Sequence, residues 1–291
     1  MDSLSFTGSS GVGAKLKATG NLVTDNVRVS LEADSLNCAI LGEDIDPDDE
    51  TFQQFLKNVV TDITQKAGQK CTAVRRILVP EGRVDLVAGE LESRLTKIKI
   101  GDPADQAVRM GPVASAQQFA DVRAGIDALA AVCTLACGGS APIRDQGYFV
   151  APTLLIAKDS SADIIHGDEV FGPAATILPY SGAAADAVAL ANRGGGCLVG
   201  SIYSNDNAWT EACVLGMSPW HGRLWLGSDK TAGQAFPPGG VMPQMVHGGP
   251  GRAGGGEELG GPRGLEFYMQ RTALQGYQGF LSRAFGKPSL G

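Results

Sequence analysis

Cys71 is the residue of this sequence best placed to do chemistry. It stands in Lys66-Ala67-Gly68-Gln69-Lys70-Cys71-Thr72-Ala73-Val74-Arg75-Arg76, with the cations Lys70, Arg75 and Arg76 close in sequence. A nearby positive charge favours a thiolate over a thiol, and the thiolate attacks electrophilic carbon. A packed structural cysteine is the alternative that composition alone favours, because free cysteines are mostly small buried hydrophobes. Metal ligation is the other chemistry open to cysteine. Cys133 and Cys137 are four apart on what reads as the end of a helix, but no second Cys or His pair stands at ligand spacing. His166, His221 and His247 are scattered, so no metal site is expected.

The elements that must position Cys71 can be read from periodicity. Phe52, Phe55, Leu56, Val59 and Ile63 share one helical face, which predicts a helix over Thr51 to Lys66. Gly68 supplies a stop, and Ile77-Leu78-Val79 before Pro80 reads as a buried strand. Cys71 therefore falls at a helix-to-strand junction, where a side chain can face a cleft. Leu4 to Thr7 and Arg28 to Glu32 read as strands, with Gly8 to Gly13 a turn and Ala14 to Thr19 the opening of a helix. The G-x-x-G-x-G spacing of that turn does not match the common dinucleotide fingerprint, and by itself it fits a plain tight turn equally well.

Asn37 to Leu41 is an apolar run. Helices follow through Val84, Val87, Leu91 and Leu95, ending near Ile100 to Pro103, and through Phe119, Val122, Ile126 and Leu129. Gly147 to Thr153, Ala174 to Leu178 and Leu198 to Tyr203 are strand-like, and Ala183 to Asn192 is helical. Strands alternating with helices give an α/β fold with a mostly parallel sheet.

Composition narrows the function. A net charge of -7 over 291 residues and the lack of a basic run argue against nucleic acid or anionic membrane as a partner. No stretch approaches the length of a spanning helix. The first residues lack a basic start and a long apolar run, and the six cysteines show no disulfide framework. A reducing cytoplasm is the expected location. Forty glycines concentrate in Gly194-Gly195-Gly196 and between Gly239 and Gly264, where a flexible linker is one reading.

Four stretches in order resemble the aldehyde dehydrogenase superfamily. Gly68-Gln69-Lys70-Cys71 resembles its catalytic cysteine motif, Phe6-Thr7-Gly8-Ser9 its cofactor-proximal turn, and Val29-Ser30-Leu31-Glu32 the strand that ends in its general base. Glu169-Val170-Phe171-Gly172-Pro173 resembles its E-[IV]-F-G-P segment, and Gly147 to Thr153 a structural segment of the family. The resemblance runs to about Leu274. It implies Cys71 as nucleophile and Glu32 as general base, with Gly8 and Ser9 near the cofactor pyrophosphate, Glu169 on a ribose and Phe171 beside the nicotinamide. It also implies NAD or NADP as cofactor, a small-molecule aldehyde as substrate and a homo-oligomer, a dimer, as the complete assembly. Glu32 is followed by Ala33-Asp34-Ser35-Leu36-Asn37 where the family usually continues E-L-G-G-K, so the loop after the base is expected to differ.

The tail resembles one subgroup more closely. His247 to Gly261 resembles a long form of the glycine-rich loop that closes one side of the family's aldehyde tunnel, followed by Arg263-Gly264-Leu265 and Tyr268 to Leu274. This form is similar to enzymes that oxidise CoA-linked semialdehydes in aerobic aromatic catabolism, including phenylacetate degradation and the benzoyl-CoA pathway. The implied division is residues 1–37 as the last piece of a Rossmann-like cofactor domain, 38–265 as the catalytic domain, 266–277 as an oligomerisation strand and 278–291 as a tail. Nothing before Phe6 corresponds to the family's first Rossmann strands, adenosine-ribose site or oxyanion asparagine. The expectation is an N-terminally truncated chain with weak or no activity alone. The alternative is a catalytically incompetent fragment that associates only with itself or with full-length subunits. A CoA-acylating enzyme is disfavoured by Glu32, and a Cys-His enzyme by the lack of a histidine near Cys71 in sequence.

Overall fold

The computed structural model describes residues 2–286 apart from 234–235, 243, 246 and 257–260. Near the N-terminus, β1 (Ser3–Thr7) and β2 (Arg28–Glu32) pair in parallel, with Phe6 opposite Leu31 and Thr7 opposite Glu32. Helices α1 (Ser10–Lys17) and α2 (Gly20–Thr24) make the crossover. Helix α1 starts four residues earlier than the sequence reading placed it. Ser9 caps it, and Asp34 accepts from both the Ser10 N–H and hydroxyl, so the chain turns helical before the glycines can act as a turn.

The main sheet has seven strands: β3 (Cys38–Leu41), β4 (Arg76–Pro80), β5 (Cys133–Cys137), β6 (Thr153–Ala157), β7 (Ala174–Tyr180), β8 (Cys197–Tyr203) and β9 (His221–Gly227). Their order is β5-β6-β7-β4-β3-β8-β9, and only the β5–β6 pair is antiparallel. The α/β class with a mostly parallel sheet is therefore what the chain adopts. Strands β3, β4, β7 and β8 are buried almost throughout, which is how parallel strands covered on both faces read.

Alternation along the pleat feeds two cores. Ala39, Leu41, Ile77 and Val79 face α3 (Glu50–Thr64) and α4 (Val84–Leu95), meeting Phe52, Phe55, Val59, Leu91 and Leu95. Cys38, Ile40 and Leu78 face the other side, where α5 (Ala116–Val132), α6 (Asp163–Gly167), α7 (Ala184–Asn192) and α8 (Asn207–Met217) supply Ile126, Ile165, Leu190 and Met217 among others.

Several sequence expectations need correcting. Cys133 and Cys137 begin and end a strand rather than closing a helix. Residues 147–152 are irregular; the strand there begins at Thr153. The second helix stops at Leu95, well before Ile100. Helix α8 and strand β9 were not predicted, because α8 buries only Cys213 and Met217 and β9 is a half-exposed edge.

In the C-terminal part, α9 (Gly261–Phe267) takes in residues 266 and 267 of the expected oligomerisation strand, and Met269 to Gln275 join no ladder within the single chain. Helix α10 (Gln278–Phe285) follows, and residues 287–291 of the expected tail lie outside the described residues. Among the described residues, no helix is long and apolar enough to cross a membrane.

Candidate active site

Cys71 sits just beyond the C-terminal end of α3, as the periodicity predicts, but Gly68 does more than stop a helix. Helix α3 ends at Thr64, and Lys66, Ala67 and Gly68 follow with φ of 55°, 53° and 70°. Three successive left-handed residues are costly for side chains other than glycine's. They persist because the turn is held from outside: Arg75 donates to the Gly68 carbonyl at 2.9 Å and to the Gly172 carbonyl at 2.9 Å. A Cβ on Gly68 would lie 2.1 Å from the Gly172 oxygen. The cysteine turn and the Glu169–Pro173 segment are thus packed backbone to backbone. Gly68→Ala is expected to cost at least about 2 kcal/mol, through φ strain and this clash. A denaturant-unfolding midpoint equal to that of the parent chain would contradict that.

Asn37 fixes the far side of the turn. Its buried amide nitrogen donates to the Cys71 and Ala73 carbonyls at 2.8 and 3.0 Å, while its oxygen accepts from the Val199 N–H and the Ser35 hydroxyl. Every donor and acceptor of that side chain is used, which gives a buried amide one stable orientation. The sequence signal for it was only an asparagine opening an apolar run.

The three neighbouring cations are engaged away from the thiol. Lys70 pairs with Asp62 at 2.6 Å and with Gln65. Arg75 pairs with Glu169 at 3.2 Å. Arg76 is fully buried, donating to the Leu36, Leu190 and Ala191 carbonyls and to His166 Nδ1. Burial, reinforced by Arg76, holds His166 down at about 4, so it meets the guanidinium as a neutral acceptor.

What faces Cys71 instead is His247. Its Nε2 lies 3.7 Å from Cys71 Sγ and 3.4 Å from Glu32 Oε2. Glu32 ends β2 and is 1% exposed. Its Oε2 and the His247 Nδ1 are buried with no hydrogen-bond partner among the described residues, so the carboxylate's contact with Nε2 is an ion-pair approach rather than an aligned hydrogen bond. Cys71 first, and Glu32 second, push the His247 imidazole up to about 9. Among the described residues, Glu32, Cys71 and His247 also form a cluster, with donor atoms within 4.8 Å of one another, that could hold a metal ion. Cys133 and Cys137 belong to no such cluster among the described residues.

His247 reaches the site because the glycine-rich loop docks on β2. Gly254 bridges Glu32, Gly255 N–H donates to the Leu31 carbonyl at 2.7 Å, and Gly256 N–H to the Ser30 hydroxyl. Gly254 has φ of 70°, and a Cβ there would lie 1.9 Å from the Leu31 oxygen. This part of the loop therefore behaves as an added edge segment rather than a linker. Residues 257–260 of the long form lie outside the described residues.

All six residues singled out from the sequence, Gly8, Ser9, Glu32, Cys71, Glu169 and Phe171, line one cleft of about 430 Å³. Cys71 also lines a second cleft of about 480 Å³, together with Lys66, Gln69, Gly239 and His247. The thiol stands where two approaches meet. In the first cleft, Glu169 accepts from Ser35 N–H and Arg75, and burial pushes its carboxyl up against the opposing pull of Arg75. Phe171 lies under the Arg75 guanidinium. Gly8 donates to the Glu32 carbonyl, tying the β1 turn to the base-bearing strand. The Asp34 carboxylate at the start of α1 is 3.5 Å from Arg252 of the glycine-rich loop.

The sequence profile of the aldehyde dehydrogenase family matches residues 1–274. The chain belongs to that family. Among curated aldehyde dehydrogenases it is 40% identical, over 256 residues, to 3,4-dehydroadipyl-CoA semialdehyde dehydrogenase of Aromatoleum evansii, covering 86% of this chain and 50% of that protein. It is 40% identical over 169 residues to Protein MaoC of Klebsiella aerogenes, covering 57% of this chain and 50% of that protein. Betaine aldehyde dehydrogenase of Staphylococcus aureus, solved in complex with NAD+, superposes with a TM-score of 0.75 at 29% identity, covering 87% of this chain and 47% of that one. The chain spans about half the length of the curated relatives it matches.

Proposed function

We propose that this chain carries the catalytic machinery for NAD(P)-dependent oxidation of an aldehyde to its carboxylic acid, the aldehyde being a CoA-linked semialdehyde of the kind met in aromatic catabolism. The observation that supports the chemistry is the meeting of Cys71 and Glu32 in one cleft, with Cys71 also facing a second. The similarity to the Aromatoleum evansii enzyme supports the substrate class.

The first cleft fits the nicotinamide-ribose end of the cofactor. Glu169 offers a buried carboxylate to ribose hydroxyls, Phe171 an aromatic ring, and Gly8 and Ser9 the chain turn nearest the phosphates. When bound, NAD(P)+ supplies the hydride acceptor. Everything else falls to the chain. Cys71 attacks the aldehyde carbon, giving a tetrahedral thiohemiacetal from which hydride can leave where the free carbonyl could not release it. The Cys71 backbone N–H is the proposed donor to the developing oxyanion, a contact worth about 2.7 to 4 kcal/mol in comparable sites. Glu32 then takes a proton from the water that hydrolyses the thioester, a role supported by its burial beside the thiol.

The test compares a CoA-linked semialdehyde with a free aldehyde of the same chain length, following cofactor reduction and analysing the product without added coenzyme A. At least about tenfold higher kcat/KM for the CoA-linked substrate and a free acid product are expected; about 1.4 kcal/mol of added transition-state binding gives that factor. Equal kcat/KM for the two would remove the substrate assignment. Product formation only with coenzyme A would replace hydrolysis by acyl transfer.

A further inference from the structure

We propose that His247 is the base that takes the proton of the Cys71 thiol, so that the resting site holds a thiolate–imidazolium pair with Glu32 as the imidazolium's second anionic neighbour. The inference deepens the reading above and rests on Cys71 being the nucleophile. Neither sequence spacing nor the family resemblance pointed to this histidine.

The geometry separates two proton tasks that a single carboxylate would otherwise share. Nε2 stands between the two acidic groups, 3.7 Å from Sγ and 3.4 Å from the Glu32 carboxylate. When the S–H bond breaks and an Nε2–H bond forms, the cluster's net charge is unchanged, because a neutral thiol and a neutral imidazole become an anion and a cation. The alternative, with the thiol proton on Glu32, removes a charge from the carboxylate that must later accept a proton from water. With the proton on His247, Glu32 stays ionised through the first half of the reaction. The thiolate then forms the C–S bond, the carbonyl π pair moves to oxygen, and the imidazolium keeps the proton until solvent takes it.

The surroundings favour this arrangement. The Glu32 Oε2 atom is buried without a hydrogen-bond donor among the described residues, so a positive imidazolium is the group that compensates it. Arg223 of β9 adds a second positive charge: burial pulls its guanidinium down, the charge of Cys71 opposes that, and its Nε and Nη1 have no acceptors among the described residues. Lys70 and Asp62, paired with one another, and Lys66 line the second cleft with Cys71 and His247, while Asp34, Asp121 and Glu169, the last paired with Arg75, line the first. Backbone bonds from Gly255 and Gly256 dock the loop that carries His247 on β2.

The test reads the pair without aldehyde or cofactor, so it stands or falls separately from the proposed reaction. Cys71 is the one cysteine of the six that is not buried, and alkylation by uncharged iodoacetamide can be followed on its own peptide by mass spectrometry. The parent chain is expected to keep more than half of its high-pH alkylation rate at pH about 7, as thiols paired with a protonated histidine do. In His247→Gln the rate at that pH should fall roughly tenfold, and in Glu32→Gln by less, because the carboxylate is the imidazolium's second neighbour and not the acceptor of the thiol proton. A parent rate at pH about 7 below about a tenth of its high-pH rate, an unchanged rate in His247→Gln, or a larger fall in Glu32→Gln than in His247→Gln overturns the proposal.

A second measurement needs no variant. The chain has three histidines, and their Cε1–H resonances can be titrated before and after alkylation. One signal should titrate near about 9 and move down by about one pH unit or more once the thiolate is capped. A set of three midpoints unchanged by alkylation overturns the proposal.

Discussion

In the Glu32→Gln variant, reduced cofactor is expected to form in one burst of at most one equivalent per chain, after which turnover nearly stops. Glutamine keeps the shape of a side chain that is 1% exposed but cannot accept a proton from water. General-base assistance is worth on the order of 10²- to 10⁴-fold, so steady-state oxidation should fall by that factor. The burst should survive because the thiol proton goes to His247, whose Nε2 faces Sγ directly. Stopped-flow absorbance of the reduced cofactor separates the two phases. Loss of the burst along with turnover would instead assign Glu32 to activation of the thiol.

Cys71→Ser should abolish both phases, lowering oxidation by on the order of 10³-fold or more, because a serine hydroxyl is a far weaker nucleophile than a thiolate and, among the described residues, Cys71 alone lines both clefts. The fold should survive, since Cys71 is only half-buried and its turn is held through its carbonyl and through Arg75. A pH signature accompanies the loss. His247 is raised to about 9, chiefly by Cys71, so the stabilisation it brings is complete below its ordinary 6.5 and disappears as pH rises through about 9. Replacing Cys71 removes the larger cause, and the upper end of that window should move down. Unfolding midpoints measured from pH 6 to 10 test this; a serine variant with an unchanged pH profile would contradict it.

The parts of this site that were legible in the sequence are those carried by local pattern. The three-to-four spacing from Phe52 to Ile63 placed the helix before Cys71, and the alternation of helices with apolar runs gave the sheet class. Motif resemblance brought six residues to one cleft. Proximity along the chain misled for the cations. Arg75 and Arg76 are adjacent, yet one clamps the Gly68 turn to Glu169 while the other is buried among helix carbonyls, because consecutive residues entering a strand point to opposite sides.

His247 was illegible for the opposite reason. It lies 176 positions from Cys71, and its approach depends on glycines whose backbones lie against β2 too closely for any side chain. Asn37 carries no motif at all; its importance appears only when the Cys71 and Ala73 carbonyls and the Val199 N–H are seen to converge on it.

The most direct measurement of covalent catalysis at Cys71 is mass spectrometry of the Glu32→Gln chain, quenched in acid after mixing with aldehyde and NAD+ or NADP+. One adduct is predicted, on the Cys71 peptide, heavier by the mass of the aldehyde less two hydrogens, as an oxidised thioester requires. Cofactor reduction without an adduct, an adduct on another residue, or one with the mass of the unoxidised aldehyde would contradict it.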